Sequence, residues 1–265
     1  MSHVTAFAVP AAARTSVRSL TPGSKSAAAN VVGLRVPQKS CPTPRTLIEK
    51  NDFAIRIADE NSSEAVDALV QRMYGRRGYC LSDRADSRSM QRGTSITLEA
   101  QQEGTTIGTL TVNLGGIRGL NAEALYAQEI VPYRRAGLRP CEFNRLAMGT
   151  DESNKEALAG MFHVGIIFAF QVFRATDLFI EVNPRHAVFY RRKIGFECIG
   201  EERICPRVNA PALLLHKDLA VCTEELSRLG GLRDPSNRSF YAFALTPEEV
   251  QGVVKNLHTP FRLAS

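Results

Sequence analysis

The chain has 265 residues, 44% of them hydrophobic, which is enough for one sizeable core. Its formal net charge of +6 lies in residues 1–50, where Arg14, Arg18, Lys25, Arg35, Lys39, Arg45 and Lys50 face only Glu49. The rest is formally neutral, which argues against a basic nucleic-acid-binding domain. The 6 cysteines are widely spaced, with no CxxC pair and no histidine cluster at zinc spacing, which argues against a metal site or disulfide framework and for reduced thiols in the cytoplasm.

Residues 1–50 are rich in Ala, Ser, Thr, Pro and Arg without hydrophobic periodicity, and predict a disordered basic extension whose composition overlaps that of organellar transit peptides. FAIRIAD, from Phe53, alternates as a first strand, and the next segment sets Val66, Leu69, Val70 and Met73 at helical spacing behind a Ser62 or Ser63 cap. TSITLEAQ and IGTLTVNLGG flank a turn at EGTT and predict an antiparallel hairpin. The stretch from Gly115 to Pro140 is amphipathic but irregular and reads as a helix or a lid, and CEFNRLAMG follows as a fourth strand.

Lys155 to Phe173 reads as a helix that is apolar almost all round and therefore buried on several sides; its apolar run is short for a membrane span. After the strand DLFIEVN, Asn183 is an N-cap, Pro184 suits the first helical position, and Gly195 can end a short helix in the left-handed conformation. CIGEERI and PALLLHKDL are two further extended runs, and CTEELSRL and TPEEVQGVVKNL are helix candidates. The expected organisation is an α/β (α+β) domain over residues 51–219 and a helical extension over 220–265 packed on it.

This β-α-β-β ending resembles the GNAT acyltransferase superfamily. More narrowly, NPRHAVFYRRKIGFECIG followed by ICPRVNAPALLLHKDL resembles the FeeM-type N-acyl amino acid synthases, relatives of the acyl-homoserine lactone synthases. The resemblance implies a GNAT fold: a mixed central sheet of about seven strands flanked by helices, with the fourth and fifth strands splayed. It also implies an N-acyltransferase that moves a long-chain acyl group from acyl carrier protein to the α-amino group of an amino acid. No tightly bound cofactor is expected; the donor would be the acyl-phosphopantetheine of the carrier.

Coenzyme-A-dependent relatives carry a glycine-rich pyrophosphate loop where this chain has GTDESNKEALAG. That stretch has no spaced glycine pair, and Asp151 and Glu152 would face phosphate, which disfavours coenzyme A. Where acetyltransferases often carry a tyrosine four residues before a Gly-Phe pair, Arg191 stands here, and Tyr190 is turned from it by about 100°. Tyr190, His186 and Asn183 are candidate substrate contacts, with a packing role open for each. Arg185, Arg191, Arg192 and Lys193 form a cationic cluster suited to carrier protein or pantetheine phosphate, unless it is a solvated helix face. Arg77 and Arg84 lie in an Arg-rich stretch from Arg72 to Arg92; the matching region of lactone synthases helps enclose substrate, unless this is solvated loop charge.

CEFNRLAMG also matches the Glu-x-x-Arg strand shared by lactone synthases and FeeM-type enzymes, through Glu142 and Arg145. Residues three apart face opposite sides of a regular strand, so the two can meet only across a β-bulge, which is expected between Glu142 and Met148. Glu142 would take the amine proton with Arg145 orienting it, or the two would form a structural salt bridge. The alternatives are a lactone synthase using S-adenosylmethionine, an acetyl-coenzyme-A acetyltransferase, and a non-catalytic binding module.

Overall fold

The computed structural model describes residues 45–50, 52–79, 95–115, 119–149, 155–233 and 239–258. Nine strands among them form the sheet: β1 (Thr46–Glu49), β2 (Ala54–Ile57), β3 (Ser95–Gln102), β4 (Thr105–Asn113), β5 (Pro140–Met148), β6 (Asp177–Val182), β7 (Glu197–Cys198), β8 (Arg203–Cys205) and β9 (Ala210–Asp218). Their order is β1-β2-β3-β4-β5-β6-β9-β7, with β8 paired to β9. Every pairing is antiparallel except β5 with β6.

Two differences separate these nine strands from the seven expected. CIGEERI divides into β7 and β8, and β1 arises inside the stretch expected to be disordered. Leu47 and Ile48 of β1 are buried against the C-terminal helix, where the Asn256 amide donates to the Leu47 carbonyl at 3.3 Å. That burial supplies the hydrophobic gain which local composition does not reveal.

Helix α1 (Ser63–Gly75) buries Val66, Leu69, Val70 and Met73. Asp59 fixes its start: one carboxylate oxygen accepts from the Asn61 and Ser62 N–H groups at 3.0 and 2.9 Å, and Ser62 Oγ accepts from Asp59 N at 2.9 Å. The β3–β4 hairpin turns at Glu103 and Gly104, both with positive φ, as a two-residue turn of matching twist requires.

The amphipathic stretch read as a helix or a lid is helix α2 (Glu123–Arg135), kinked at Tyr126. Tyr126 and Ile130 are fully buried, and the Tyr126 hydroxyl reaches the carbonyls of Ala212 and Glu201 at 2.7 and 3.0 Å. A segment anchored by two buried side chains packs as a wall of the sheet.

Helix α3 (Lys155–Ile167), continued by a π-helical turn over Phe168–Val172, makes the crossover from β5 to its parallel neighbour β6. It lies close to the sheet because Gly165 has no side chain: a Cβ there would fall 2.9 Å from Phe143 Cζ and 3.0 Å from Leu110 Cδ2. Lys155–Val172 is long and apolar enough to cross a membrane, but 67% of it is buried inside the fold, as in the core helix of a globular domain. Helix α4 (Pro184–Phe189) follows β6.

Helix α5 (Leu219–Leu229) is capped by the Asp218 carboxylate, and α6 (Pro247–His258) by the reciprocal Thr246–Glu249 box. Leu219, Cys222, Leu226, Tyr241, Leu245 and Val253 join the same core as α3, so this C-terminal segment is integral to the domain.

His163, on α3, is 7% exposed with Nδ1 unpartnered. Burial pushes its pKa down to about 4, against a weak upward pull from Glu249. The unfolded chain therefore binds a proton near its ordinary value while the folded protein refuses it, so stability is full above that value and falls as pH drops toward 4. We expect this group alone to account for about 3 kcal/mol of the loss between pH 7 and 4. Urea titrations of wild type and His163→Leu should diverge by that amount over this window; parallel curves would contradict the assignment.

Candidate active site

Strand β5 departs from regular pairing. Thr109 pairs with Ala147 and Thr111 with Asn144, so Arg145 and Leu146 together oppose Leu110. Arg145 takes φ +51°. This is the bulge expected between Glu142 and Met148. It shifts the alternation of side chains and sends Ala147 into the small core formed with Leu69, Val70 and Met73 of α1.

On its other edge β5 pairs with β6 only as far as Phe143↔Ile180, although β5 continues to Met148. Beyond that point the strands part. Asn183 then turns the chain away from the sheet: its Oδ1 accepts from Arg185 N at 3.2 Å, and its Nδ2 donates to the Pro211 carbonyl at 3.0 Å. Gly195, at φ +78°, ends the helical segment as expected, although a π-helical turn over Tyr190–Ile194 widens it first.

A cavity of about 1530 Å³ occupies this gap between α1, the parted strands, α4 and the β8–β9 connection. Met73, Tyr74, Met148, Leu158, Phe189 and Tyr190 give it an apolar flank; Glu142, Asn144, Glu181, Cys205 and Arg207 give it a polar one. The division follows from strand alternation. Phe143 and Ile180 join the α3 core, whereas Phe179 joins the cluster of Tyr126 and Ile130, so Glu142 and Glu181 face the α2 side. The gap thus connects the two faces of the sheet.

Glu142 is 3% exposed. Its Oε1 accepts from Asn113 Nδ2, Asn121 N and Asn144 Nδ2 at 2.8, 2.9 and 3.1 Å, and its Oε2 from Ala122 N at 3.0 Å. The carboxylate therefore ties the start of α2 to β4 and β5. The expected pairing with Arg145 does not form. The left-handed backbone at Arg145 carries its guanidinium to α1, where it bonds Asp67, and Asn144 takes the place beside Glu142.

Tyr190 lines the cavity and packs edge-on against Phe189 and Phe196, with centroids 5.4 and 5.9 Å apart. Burial, reinforced by the neighbouring Tyr74, pushes its phenol pKa up, so it holds its proton. His186 also lines the cavity; its Nε2 lies 2.9 Å from Arg77 Nη1 and must accept, which places the ring proton on Nδ1. Burial, then the charges of Arg77 and Arg185, lowers its pKa and keeps it neutral.

Arg185 donates to Asn183 Oδ1 and to the Tyr79 hydroxyl, each at 3.0 Å, and lies over the Tyr79 ring. Arg191, Arg192 and Lys193 are exposed on the widened turn, and none of these four cations lines the cavity. Arg84, Asp151 and Glu152 lie outside the described residues. The cavity adds Asp67, Tyr74, Arg77, Glu181 and Arg207, which the sequence did not single out as site residues. Arg77 stands in the noted Arg-rich stretch; the Glu181–Arg207 pair depends on strand adjacency and leaves no local signal.

A mixed sheet with one parallel pair parting over a bulged strand, and a two-faced cavity in the gap, define a GNAT-fold N-acyltransferase. The family model described as "N-acyl amino acid synthase FeeM" matches residues 65–218, more than half of the chain, and the chain belongs to that family. The solved structure of FeeM, an N-acyl amino acid synthase from uncultured soil microbes, is 24% identical with a TM-score of 0.60, over 69% of this chain and 94% of that one. A putative N-acetyltransferase from Lactobacillus plantarum is 16% identical with a TM-score of 0.46, over 64% of this chain and 99% of its own. A search of curated proteins found no match.

Because Glu142 satisfies four donors at once, Glu142→Gln replaces an acceptor oxygen with a donor facing them. We expect a loss of about 2 kcal/mol in unfolding free energy by urea titration. Wild-type stability would show that the carboxylate is not the anchor described.

Proposed function

We propose that this N-acyltransferase moves a long-chain acyl group from the phosphopantetheine thioester of acyl carrier protein to the α-amino group of an amino acid. The observation that carries this reading is the cavity in the β5–β6 gap. Its 1530 Å³ exceeds the roughly 300–1,000 Å³ of ordinary small-molecule sites, and it joins an apolar flank fit for an acyl chain to a polar flank fit for an amino acid.

In this reading the pantetheine arm lies along the free edge of β5 beyond Phe143 as an added strand. Backbone N–H groups on that edge would stabilise negative charge developing on the thioester oxygen, and catalysis rests largely on positioning. Arg185, Arg191, Arg192 and Lys193, outside the cavity on the helix that closes it, are placed to meet an acidic carrier instead of the reacting groups. The reaction takes place in the cytoplasm and needs no resident cofactor.

The direct test is incubation with long-chain acyl carrier protein and a mixture of amino acids, followed by mass spectrometry. We expect an N-acyl amino acid with a free carboxylate. A lactone product, or transfer from acyl-coenzyme A alone, would overturn this reading. Charge reversal at Arg191 and Arg192 should weaken carrier binding about tenfold or more and flatten its dependence on salt; unchanged affinity would place the docking surface elsewhere.

A further inference from the structure

Two carboxylates line the polar flank of the cavity, and they differ in what their own fold asks of them. A carboxylate offers about four lone-pair sites. Glu142 accepts from four donors, three crowded on Oε1 and one on Oε2, and holds the start of α2 to the sheet. Glu181 accepts a bond of 2.6 Å from Arg207 Nη2 and a second from the Cys205 thiol, half the number of donors that Glu142 meets, and it lines the cavity.

Position separates them as well. Ile180 makes the last pairing between β6 and β5, so Glu181 is the first residue of β6 beyond the point where the strands part. Its side chain is 12% exposed, on the same face as Phe179. Arg207 reaches it from the β8–β9 connection and pairs with it at 2.6 Å. A half-buried carboxylate that is paired with an arginine and opens on the cavity beside the gap is what an incoming ammonium requires.

We propose that Glu181, and not Glu142, receives the proton of the acceptor amine. The assignment rests on the acyl-transfer reading above. The acceptor arrives as an ammonium and gives one proton through Glu181 to solvent. Its nitrogen lone pair then forms the N–C bond at the thioester carbonyl, the C–S bond breaks with its electron pair on sulfur, and the second nitrogen proton passes through Glu181 to that thiolate. One amide, one thiol and one released proton result.

The test uses the full chain, long-chain acyl carrier protein and pooled amino acids, with product followed by mass spectrometry between pH 6 and 10. The outcome expected for Glu181→Gln is a fall in kcat/KM of about a hundredfold or more. The deficit should narrow as pH approaches the pKa of the acceptor ammonium, where neutral amine no longer needs a base. Glu181→Asp, which keeps the charge and the Arg207 pair but withdraws the carboxylate by one methylene, covers the case in which the amide variant fails to fold; its loss should be about tenfold and narrow in the same way.

A wild-type rate in folded Glu181→Gln, or in either folded variant a deficit equal at every pH, overturns the assignment and leaves acyl transfer standing. Absence of product from the wild type with any acyl thioester overturns the acyl-transfer reading itself, and this assignment with it.

Discussion

The site depends on one backbone event, the left-handed turn of Arg145 that lets two residues of β5 oppose one of β4. A parallel pair continued to the end of β5 would seal the sheet between α1 and α3. The bulge changes the twist and re-aims the side chains that follow, and β6 parts from β5 after the Phe143–Ile180 pairing and ends two residues later. A non-glycine residue in this conformation costs on the order of 1 kcal/mol or more, which the surrounding structure must offset. Ala147 packing under α1 and the Arg145–Asp67 ion pair are the contacts placed to do so.

Around that gap the two carboxylates of the polar flank differ in how many donors they meet. Glu142 is surrounded by donors from three segments of chain and is best understood as part of the wall. Glu181 and Arg207 form a compact charged pair on the cavity wall, and Tyr190 and His186, both neutral, line the same cavity. This distribution suits a reaction in which a charged acceptor must lose a proton beside an apolar chain.

What was legible in the sequence was local. Asn183, Pro184 and Gly195 announce a capped helix because capping chemistry is confined to a few residues; the Glu-x-x-Arg resemblance pointed to the bulge, although the Glu142–Arg145 pairing from which it was argued does not form. The partners were not legible. Asp67 is 78 positions from Arg145 and Glu181 is 26 from Arg207, and only the folded arrangement of α1, β6 and the β8–β9 connection brings them together. Strand β1 was missed because a helix near the far end of the chain buries it, and α2 was read only as an irregular amphipathic segment because its kink at Tyr126 and internal Pro132 blur the helical period.

The claim on which the account turns is that acyl transfer takes place where β5 and β6 part. A crystal structure with a bound long-chain N-acyl amino acid tests it most directly. The amide should lie in the gap beyond the Phe143–Ile180 pairing, with the acyl chain against Tyr74, Leu158 and Tyr190 and the carboxylate end on the α2 side. An amide bound away from that gap, or strands paired through to Met148, would contradict it.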